Sequence, residues 1–354
     1  MVGMSGGVDS STAAALLVQQ GYDVTGVTLR FWPRDCHSPE QDGFKCCGSH
    51  GAADARAVCE RLGIPHHVVD EEAEFRREVI SYFAREYRAG RTPNPCILCN
   101  ERLKFGTLLD RARSLGADYV ATGHYARLET RADGRTLLKR GLDPRRDQSY
   151  FLFSLRQDQL RHALFPLGEL RKDETRRRAR AAELKTADKA ESMEICFVPD
   201  HDYGDFLRQA GLVQRHQGEI VDLQGRVLGH HEGIEFYTVG QRRGLRISHP
   251  EPLYVVELDA ASNRVVVGDN TALSRDEFTA TGCNWISLDA PAGPLEVTAK
   301  IRYNHPGTRA TVTPGPDGTA QVELDTPQRA ITPGQACVLY ADDLVLGGGW
   351  IARA

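Results

Sequence analysis

"MVGMSGGVDSSTAA", Met1 to Ala14, is the stretch whose reading decides the fold. Gly6 and Gly7 sit among Ser5, Asp9, Ser10 and Ser11. Glycines let a backbone approach a ligand closely, while hydroxyls and amides bond to anions. An acidic residue in such company implies a cation as well. A strand, this loop and then a helix would gather several N–H groups and the positive end of a helix dipole around one anion. The lysine of GxxxxGK[ST] is missing, so this is not the loop that typically grips a transferred γ-phosphate. Only Met1 to Gly3 precede the loop, so the first strand is short or begins upstream.

Outward from that loop, apolar β-branched runs alternate with helical segments as far as about Ala126, the pattern of a parallel α/β sheet. "YDVTGVTLR" (22–30), "PHHVVD" (65–70) and "ADYVATGH" (117–124) read as strands. The helical segments between them close on Gly21, Gly63 and Gly116, where a left-handed cap is expected. "ARLETRADGRTLLKRG" reads as a hairpin turning at Asp133-Gly134, with amphipathic helical stretches from there to about Leu184. From Gly218 onward there are almost only short strands and turns, which predicts one or two small β domains, the last barrel-like. The expected division is 1–201, 202–271 and 272–354, the first a doubly wound, mostly parallel α/β domain.

At 354 residues and 41% hydrophobic, the chain has material for two or three domains. No apolar run long enough to span a membrane and no signal peptide is found, so the expected address is the cytoplasm. The net charge of −4 excludes a protein that is basic all over. One local run, Arg171 to Lys189, carries eight Lys or Arg against four Asp or Glu and reads as a solvated helix face or a phosphate-binding stripe.

Nine cysteines in such a chain argue against a disulfide framework. "RTPNPCILCNERLKF" holds Cys96 and Cys99 just before a helix expected to have Glu101 or Arg102 in its first turn; the helix dipole would favour thiolate, and Cys99 is the better placed. "ESMEICFVPD" holds Cys196 in a strand-like segment. Two proposals cover these thiols. Cys96 and Cys99 would be half of a zinc site completed by Cys46 and Cys47 or by His37 and His50; or Cys99 and Cys196 would converge on an activated substrate and handle sulfur. Spacing does not choose between them.

The loop itself resembles the SGGxDS PP-loop of the ATP pyrophosphatases, which implies ATP, with Asp9 holding a Mg²⁺ on the phosphates directly or through water. Taken together and in order, MSGGVDSS, TPNPCxxCNxxxKF, ATGHYA, RDQSYFL, SxEICFVPD, GQRRGL, KIRYNH and PGQACVLY resemble the tRNA-specific 2-thiouridylase family over essentially the whole chain. The resemblance implies an enzyme that adenylates the 2-oxygen of a wobble uridine in tRNA and replaces that oxygen with sulfur. It implies ATP binding by Gly3, Met4, Ser5, Gly6, Gly7, Val8, Asp9 and Ser10, with Leu29 and Gly123. Cys196 would carry a persulfide delivered by a donor protein such as a cysteine desulfurase or relay. Cys99 would be the nucleophile that ends in a transient disulfide with Cys196.

Asn94, Pro95 and Cys96 would touch the flipped base, and His124, Arg146, Asp147, Gln148, Arg302, Tyr303 and Gln335 would touch the RNA. Some family members have Asp where this chain has Cys96, so an acid–base role does not transfer to that position. Leu29 stands where others have Met, a volume-conserving change. Two alternatives frame this reading. A PP-loop ligase acting on a small carboxylate explains the glycine loop but leaves Cys99, Cys196 and the β domains without a task. An RNA-binding module with a zinc-stabilised core makes the cysteines structural.

Overall fold

Val2 and its neighbours set the centre of the first unit. Strand β1 (Val2–Gly3) lies between β2 (Gly26–Arg30) and β4 (Val120–Ala121), with Val2 in parallel register with both Gly26 and Ala121. Outside β2 runs β3 (His66–Asp70), and outside β4 runs β7 (Ala163–Leu164). The order β3-β2-β1-β4-β7, every pairing parallel, puts the reversal of strand order between β1 and β4. In open α/β sheets that reversal is where ligands bind, outside the carboxyl ends of the strands. These coordinates are a computed structural model describing residues 1–31, 49–190, 195–198 and 202–352. Cys36, Cys46, Cys47 and His37 lie outside the described residues, as does the side chain of His50.

The chain divides into a unit of residues 1–79, 96–201 and 343–345 and a unit of 80–95, 202–342 and 346–354. In the first, α1 (Val8–Gln19) buries Ala14, Ala15 and Leu17 against Val58 and Cys59 of α2 (Ser49–Leu62) and Val2 of the sheet. Gly21, Gly63 and Gly116 all have positive φ, so the predicted left-handed ends are present. The predicted hairpin is also present: β5 (Ala126–Thr130) and β6 (Thr136–Arg140) pair antiparallel, with Gly134 at φ +82°.

Three of the differences from the sequence reading have a clear physical reason. β2 occupies only the second half of 22–30, because Tyr22 N–H still bonds back to Leu17 O at the end of α1. β7 falls inside a stretch read as helical; its two residues are strand only because Val120 and Ala121 pair with them. The third difference is the helix at Pro95, which begins before the cysteines instead of after them.

In the second unit, β8 (Gly218–Val221), β9 (Val227–His231), β10 (Tyr254–Asp259) and β11 (Arg264–Gly268) form one sheet around Ile220, Val255 and Val265. Six further strands are β12 (Ser274–Trp285), β13 (Leu295–Lys300), β14 (Thr308–Pro314), β15 (Ala320–Arg329), β16 (Ala336–Ala341) and β17 (Leu344–Ile351). They run β12-β15-β14-β13-β16-β17, and β12 pairs with β17 to close a barrel. No helix among the described residues is long and apolar enough to cross a membrane.

Close packing of α2 on β2 makes a stability prediction. A Cβ on Gly26 would lie 2.5 Å from Cys59 Sγ and 3.2 Å from Met4 Cγ. Gly26→Ala should cost about 1–3 kcal/mol in urea unfolding, the usual range for overpacking a core, and adding Cys59→Ala should recover most of that loss. Equal losses in the single and double variants would show that the sulfur is not the obstacle.

Candidate active site

α1 starts on a glycine. Gly7 is its N-cap with extended backbone, and no side chain caps the first turn. The hydroxyls turn inward: Ser11 Oγ donates to Gly7 O at 2.8 Å, and Ser10 Oγ accepts from Ser5 N–H at 3.2 Å. Among the described residues, the leading N–H groups of the helix are left without a side-chain acceptor, which is what an anion requires. Space is made by glycines. Gly6 has φ +71°, and a Cβ there would meet Gly51 O at 2.2 Å; a Cβ on Gly123, just past β4, would meet Asp9 C and Ser10 N at 2.7 Å. The predicted nucleotide residues 3–10 and Gly123 are thus brought together at the switch point. Leu29 is buried at the end of β2, paired with Val69.

Asp9 is engaged by two side chains. Lys172 Nζ donates to both of its oxygens, at 2.7 and 2.8 Å, and Tyr125 OH donates to Oδ1 at 2.8 Å. Lys172 is only 11% exposed, and the same Tyr125 ring lies 5.6 Å from its ammonium. A carboxylate already neutralised by an ammonium does not fit a directly bound Mg²⁺. The cation at Asp9 is Lys172.

A second lysine from the same basic run, Lys189, donates to Gly6 O at 2.9 Å and pairs with Asp54. Sequence reasoning missed both lysines, because the run Arg171–Lys189 looks like a solvated face. Much of its remaining charge is spent locally. Arg177 and Arg178 pair with Glu174, Arg180 pairs with Asp188, and Arg176 donates to Ala187 O at 2.8 Å.

The thiols lie on and beside one helix. Pro95 opens it, as proline does at a first helical position, so Cys96 is in the first turn and Cys99 one turn on. The expectation that Cys99 lies nearer the dipole is corrected: Cys96 does. From Cys99 to Thr107 the helix is a π-helix, and buried Gln159 reaches in from outside to donate to Glu101 O at 2.9 Å and Phe105 O at 2.7 Å. Such widened turns occur often at functional sites. Asn100 donates to Phe151 O at 3.0 Å and accepts from Lys104 Nζ at 2.9 Å, so the RDQSYFL stretch backs this helix.

Cys196 lies in a turn closed by Val198 N–H to Ile195 O, not in a strand. Its neighbour Phe197 packs edge-on to Phe75 at 5.6 Å, and Phe75 stacks at 4.4 Å on Phe31, the residue after β2. Cys196 is therefore placed beyond the carboxyl end of the sheet. Burial pushes the Cys96 thiol up to about 12; the nearby Cys196 thiol adds to the rise and Lys104 opposes it. Cys96 and Cys196 are free thiols.

His124 is buried, with Nδ1 2.7 Å from Thr122 Oγ1. Burial first and Lys104 second hold its pKa well below the usual range, so it is a neutral hydrogen-bonding group and not a cation. Two of the predicted RNA residues brace backbone. Buried Asp147 accepts from Gly141 and Ser149 N–H at 3.1 and 3.0 Å, and Gln148 Oε1 accepts from Tyr125 N–H at 3.0 Å. Arg146 is partly exposed, as is Asn94, while Pro95 is buried. In the second unit Arg302 is exposed and donates to Arg329 O at 3.2 Å, and Tyr303 lies under Lys300 at 5.8 Å. Gln335 donates to Thr92 O at 2.9 Å.

Comparison with known proteins gives three family-model matches: a tRNA methyl transferase HUP domain over residues 1–200, a tRNA methyl transferase PRC-barrel domain over 204–269 and an aminomethyltransferase β-barrel domain over 275–351. The tRNA-specific 2-thiouridylase MnmA of Magnetococcus marinus is 51% identical over 351 residues, covering 99% of this chain and 98% of that protein. The protein of the same name from Geobacter metallireducens is 51% identical over 356 residues, covering 100% of this chain and 96% of that one. Among solved structures, NMN synthetase from Francisella tularensis is similar over 54% of this chain and 64% of that one, at 19% identity and a TM-score of 0.32.

The raised Cys96 pKa predicts slow alkylation. At pH 8 a thiol with a pKa near 12 is ionised to about one part in ten thousand. Iodoacetamide should label Cys96 in the folded protein far more slowly than in the urea-unfolded chain, and its rate should climb about tenfold per pH unit through pH 10. Peptide mass spectrometry reads this. A rate already level by pH 9 would mean an ordinary thiol.

Proposed function

The chain belongs to the tRNA-specific 2-thiouridylase family, and we propose that it uses ATP to activate the 2-oxygen of a tRNA wobble uridine and replaces that oxygen with sulfur carried on Cys196. The observation that carries this reading is the sheet's switch point. The uncapped glycine loop after β1, Gly123 after β4, and the aromatic stack after β2 that leads to Cys196 all gather at the carboxyl ends of neighbouring strands.

ATP is the substrate this cradle fits. The N–H groups of Val8 to Ser10 would take phosphate oxygens, and the floor made by Gly6, Gly51 and Gly123 would let the backbone approach them. Lys172 supplies the positive charge that the loop itself lacks: when a triphosphate arrives, its ammonium has an alternative partner to Asp9. The carboxylate then keeps the ammonium aimed at the loop. No step is assigned to Mg²⁺.

Uracil C2 is a poor electrophile because its oxygen leaves badly. Attack of O2 on the α-phosphate forms an adenylate and releases pyrophosphate, so the oxygen can depart with AMP. The outer sulfur of a Cys196 persulfide then bonds to C2 and AMP leaves. Cys99 attacks the Cys196 sulfur, breaking the persulfide S–S bond, leaving the transferred sulfur on the base and closing a Cys99–Cys196 disulfide. An external thiol reduces that disulfide before the next turnover.

The base is drawn out of the anticodon loop and held by Asn94, Pro95 and the neutral Cys96. Arg146, Arg302, Tyr303 and Gln335 contact the RNA, and His124 contacts it as a hydrogen-bonding group without charge. Asp147 and Gln148 act on RNA mainly by fixing the turn that presents Arg146. The enzyme works in the cytoplasm with a persulfide-donating protein. The domains are taken as 1–201, 202–271 and 272–354, supported by the spans of the three family matches.

Purified protein given ATP, unmodified tRNA and a persulfide donor should make 2-thiouridine with one AMP released per thiolated base, read by nucleoside mass spectrometry. Cys99→Ser and Cys196→Ser should each lower thiouridine formation by about a thousandfold or more, while tRNA-dependent pyrophosphate release persists. Thiolation at the wild-type rate by either variant refutes the two-thiol scheme. Lys172→Met should raise the KM for ATP by about tenfold or more and leave tRNA affinity within twofold. Weaker tRNA binding with an unchanged KM for ATP would instead make Lys172 part of an RNA stripe.

A further inference from the structure

The turn Pro333–Gln335, just before β16, is anchored to the end of β17: Gly334 N–H donates to Ile351 O at 2.9 Å, and Ile351 N–H donates to Gln335 O at 2.8 Å. This anchored turn grips a different segment. Thr92 N–H donates to Pro333 O at 2.8 Å, and Gln335 Nε2 donates to Thr92 O at 2.9 Å and to Pro93 O at 3.4 Å. Both backbone polar groups of Thr92 are thus satisfied by residues within one turn.

The approach is backbone to backbone. Gly334 has φ +88°, and a Cβ there would lie 2.9 Å from Arg91 Cβ and 3.0 Å from Thr92 N and O. From the other side, Arg91 Nε and Nη2 donate to the buried carboxylate of Glu86 at 2.5 and 2.9 Å, and Arg91 N–H donates to Glu86 O at 2.9 Å. Residues 91–93 are therefore clamped. Two residues further on, the chain enters the helix of Cys96 and Cys99, through Pro93 and Pro95, whose rings fix φ. Only Asn94 and Pro95 lie between the clamp and Cys96, and Pro95 has its φ fixed, so little backbone freedom separates the clamp from the first thiol.

We propose that Gln335 is a positioning residue for sulfur transfer: its amide fixes the backbone at Thr92 and Pro93 and so sets the entry of the helix that carries Cys96 and Cys99. This rests on the reading of Cys99 as the attacking thiol. It is a second task beside contact with RNA, and the two are linked. An RNA acceptor that takes the same amide hydrogens does so at the expense of the hold on residues 92–93.

Two independent variants disturb the clamp: Gln335→Glu, which replaces the donor by a carboxylate, and Gly334→Ala, which inserts a methyl against Arg91 and Thr92. Each should lower kcat for thiolation by about tenfold, the effect of one lost hydrogen bond in the positioning scaffold, and Gly334→Ala, which leaves the Gln335 side chain in place, should keep KM and Kd for tRNA within twofold. Hydrogen exchange at the Thr92 amide, measured without ATP or RNA, should be at least about tenfold faster in Gln335→Ala than in wild type. A tRNA Kd weakened tenfold at unchanged kcat would make Gln335 an RNA contact only, and unchanged exchange at Thr92 would show that it holds nothing. The exchange result needs no sulfur chemistry. Failure of the wild-type enzyme to thiolate would overturn the sulfur-transfer reading while the clamp is still read at Thr92.

Discussion

No side-chain atom fits between Gly123 and the first turn of α1, nor between Gly6 and Gly51. These two backbone contacts are the constraint on which the first unit depends. They bring β1 and β4 together at the reversal of strand order, and they fix α2 across the glycine loop. They also leave the loop without a side chain of its own to carry positive charge. Charge must come from elsewhere in the sequence, and Lys172 and Lys189 bring it from more than 160 residues away. Fold and anion site are one arrangement here: the same missing methyl groups that let the strands approach also bare the helix N–H groups.

Features that obey local rules were legible in the sequence. Gly21, Gly63, Gly116 and the Asp133-Gly134 hairpin each need only the conformational freedom of one residue, and they fall where that freedom predicts. The order of thiols, loop and β region likewise follows from motifs read in series. What was not legible depends on partners distant in sequence. β7 is two residues long and has no periodicity to detect; it is a strand because β4 supplies the other half of its ladder. The π-helical stretch at Cys99 is stabilised by Gln159, nearly sixty residues on, and no local pattern announces it.

The basic run shows the same limit in electrostatic form. Composition identifies Arg171–Lys189 as positive, but a positive run is a phosphate stripe only if its charges point outward and lack partners. Here Lys172 and Lys189 turn toward the loop, Arg176 holds carbonyls at the end of the run, and Arg177, Arg178 and Arg180 have acidic neighbours at helical or turn spacing. The segment therefore turns much of its charge toward the glycine loop and its own acidic neighbours rather than outward. A mildly acidic chain binds RNA through a few placed groups, and most of this run is already engaged.

Cys96 brings a chemical problem that the same electrostatics resolves. A third thiol close to Cys196 endangers a persulfide, since any thiolate within reach will attack its S–S bond and end in the wrong disulfide. In this chain desolvation would contain that hazard: half-buried Cys96, with its pKa pushed up to about 12, stays protonated and is a poor nucleophile. A protonated thiol at this position would offer the base a neutral surface and leave the persulfide intact, which is what the proposed two-thiol scheme requires of it.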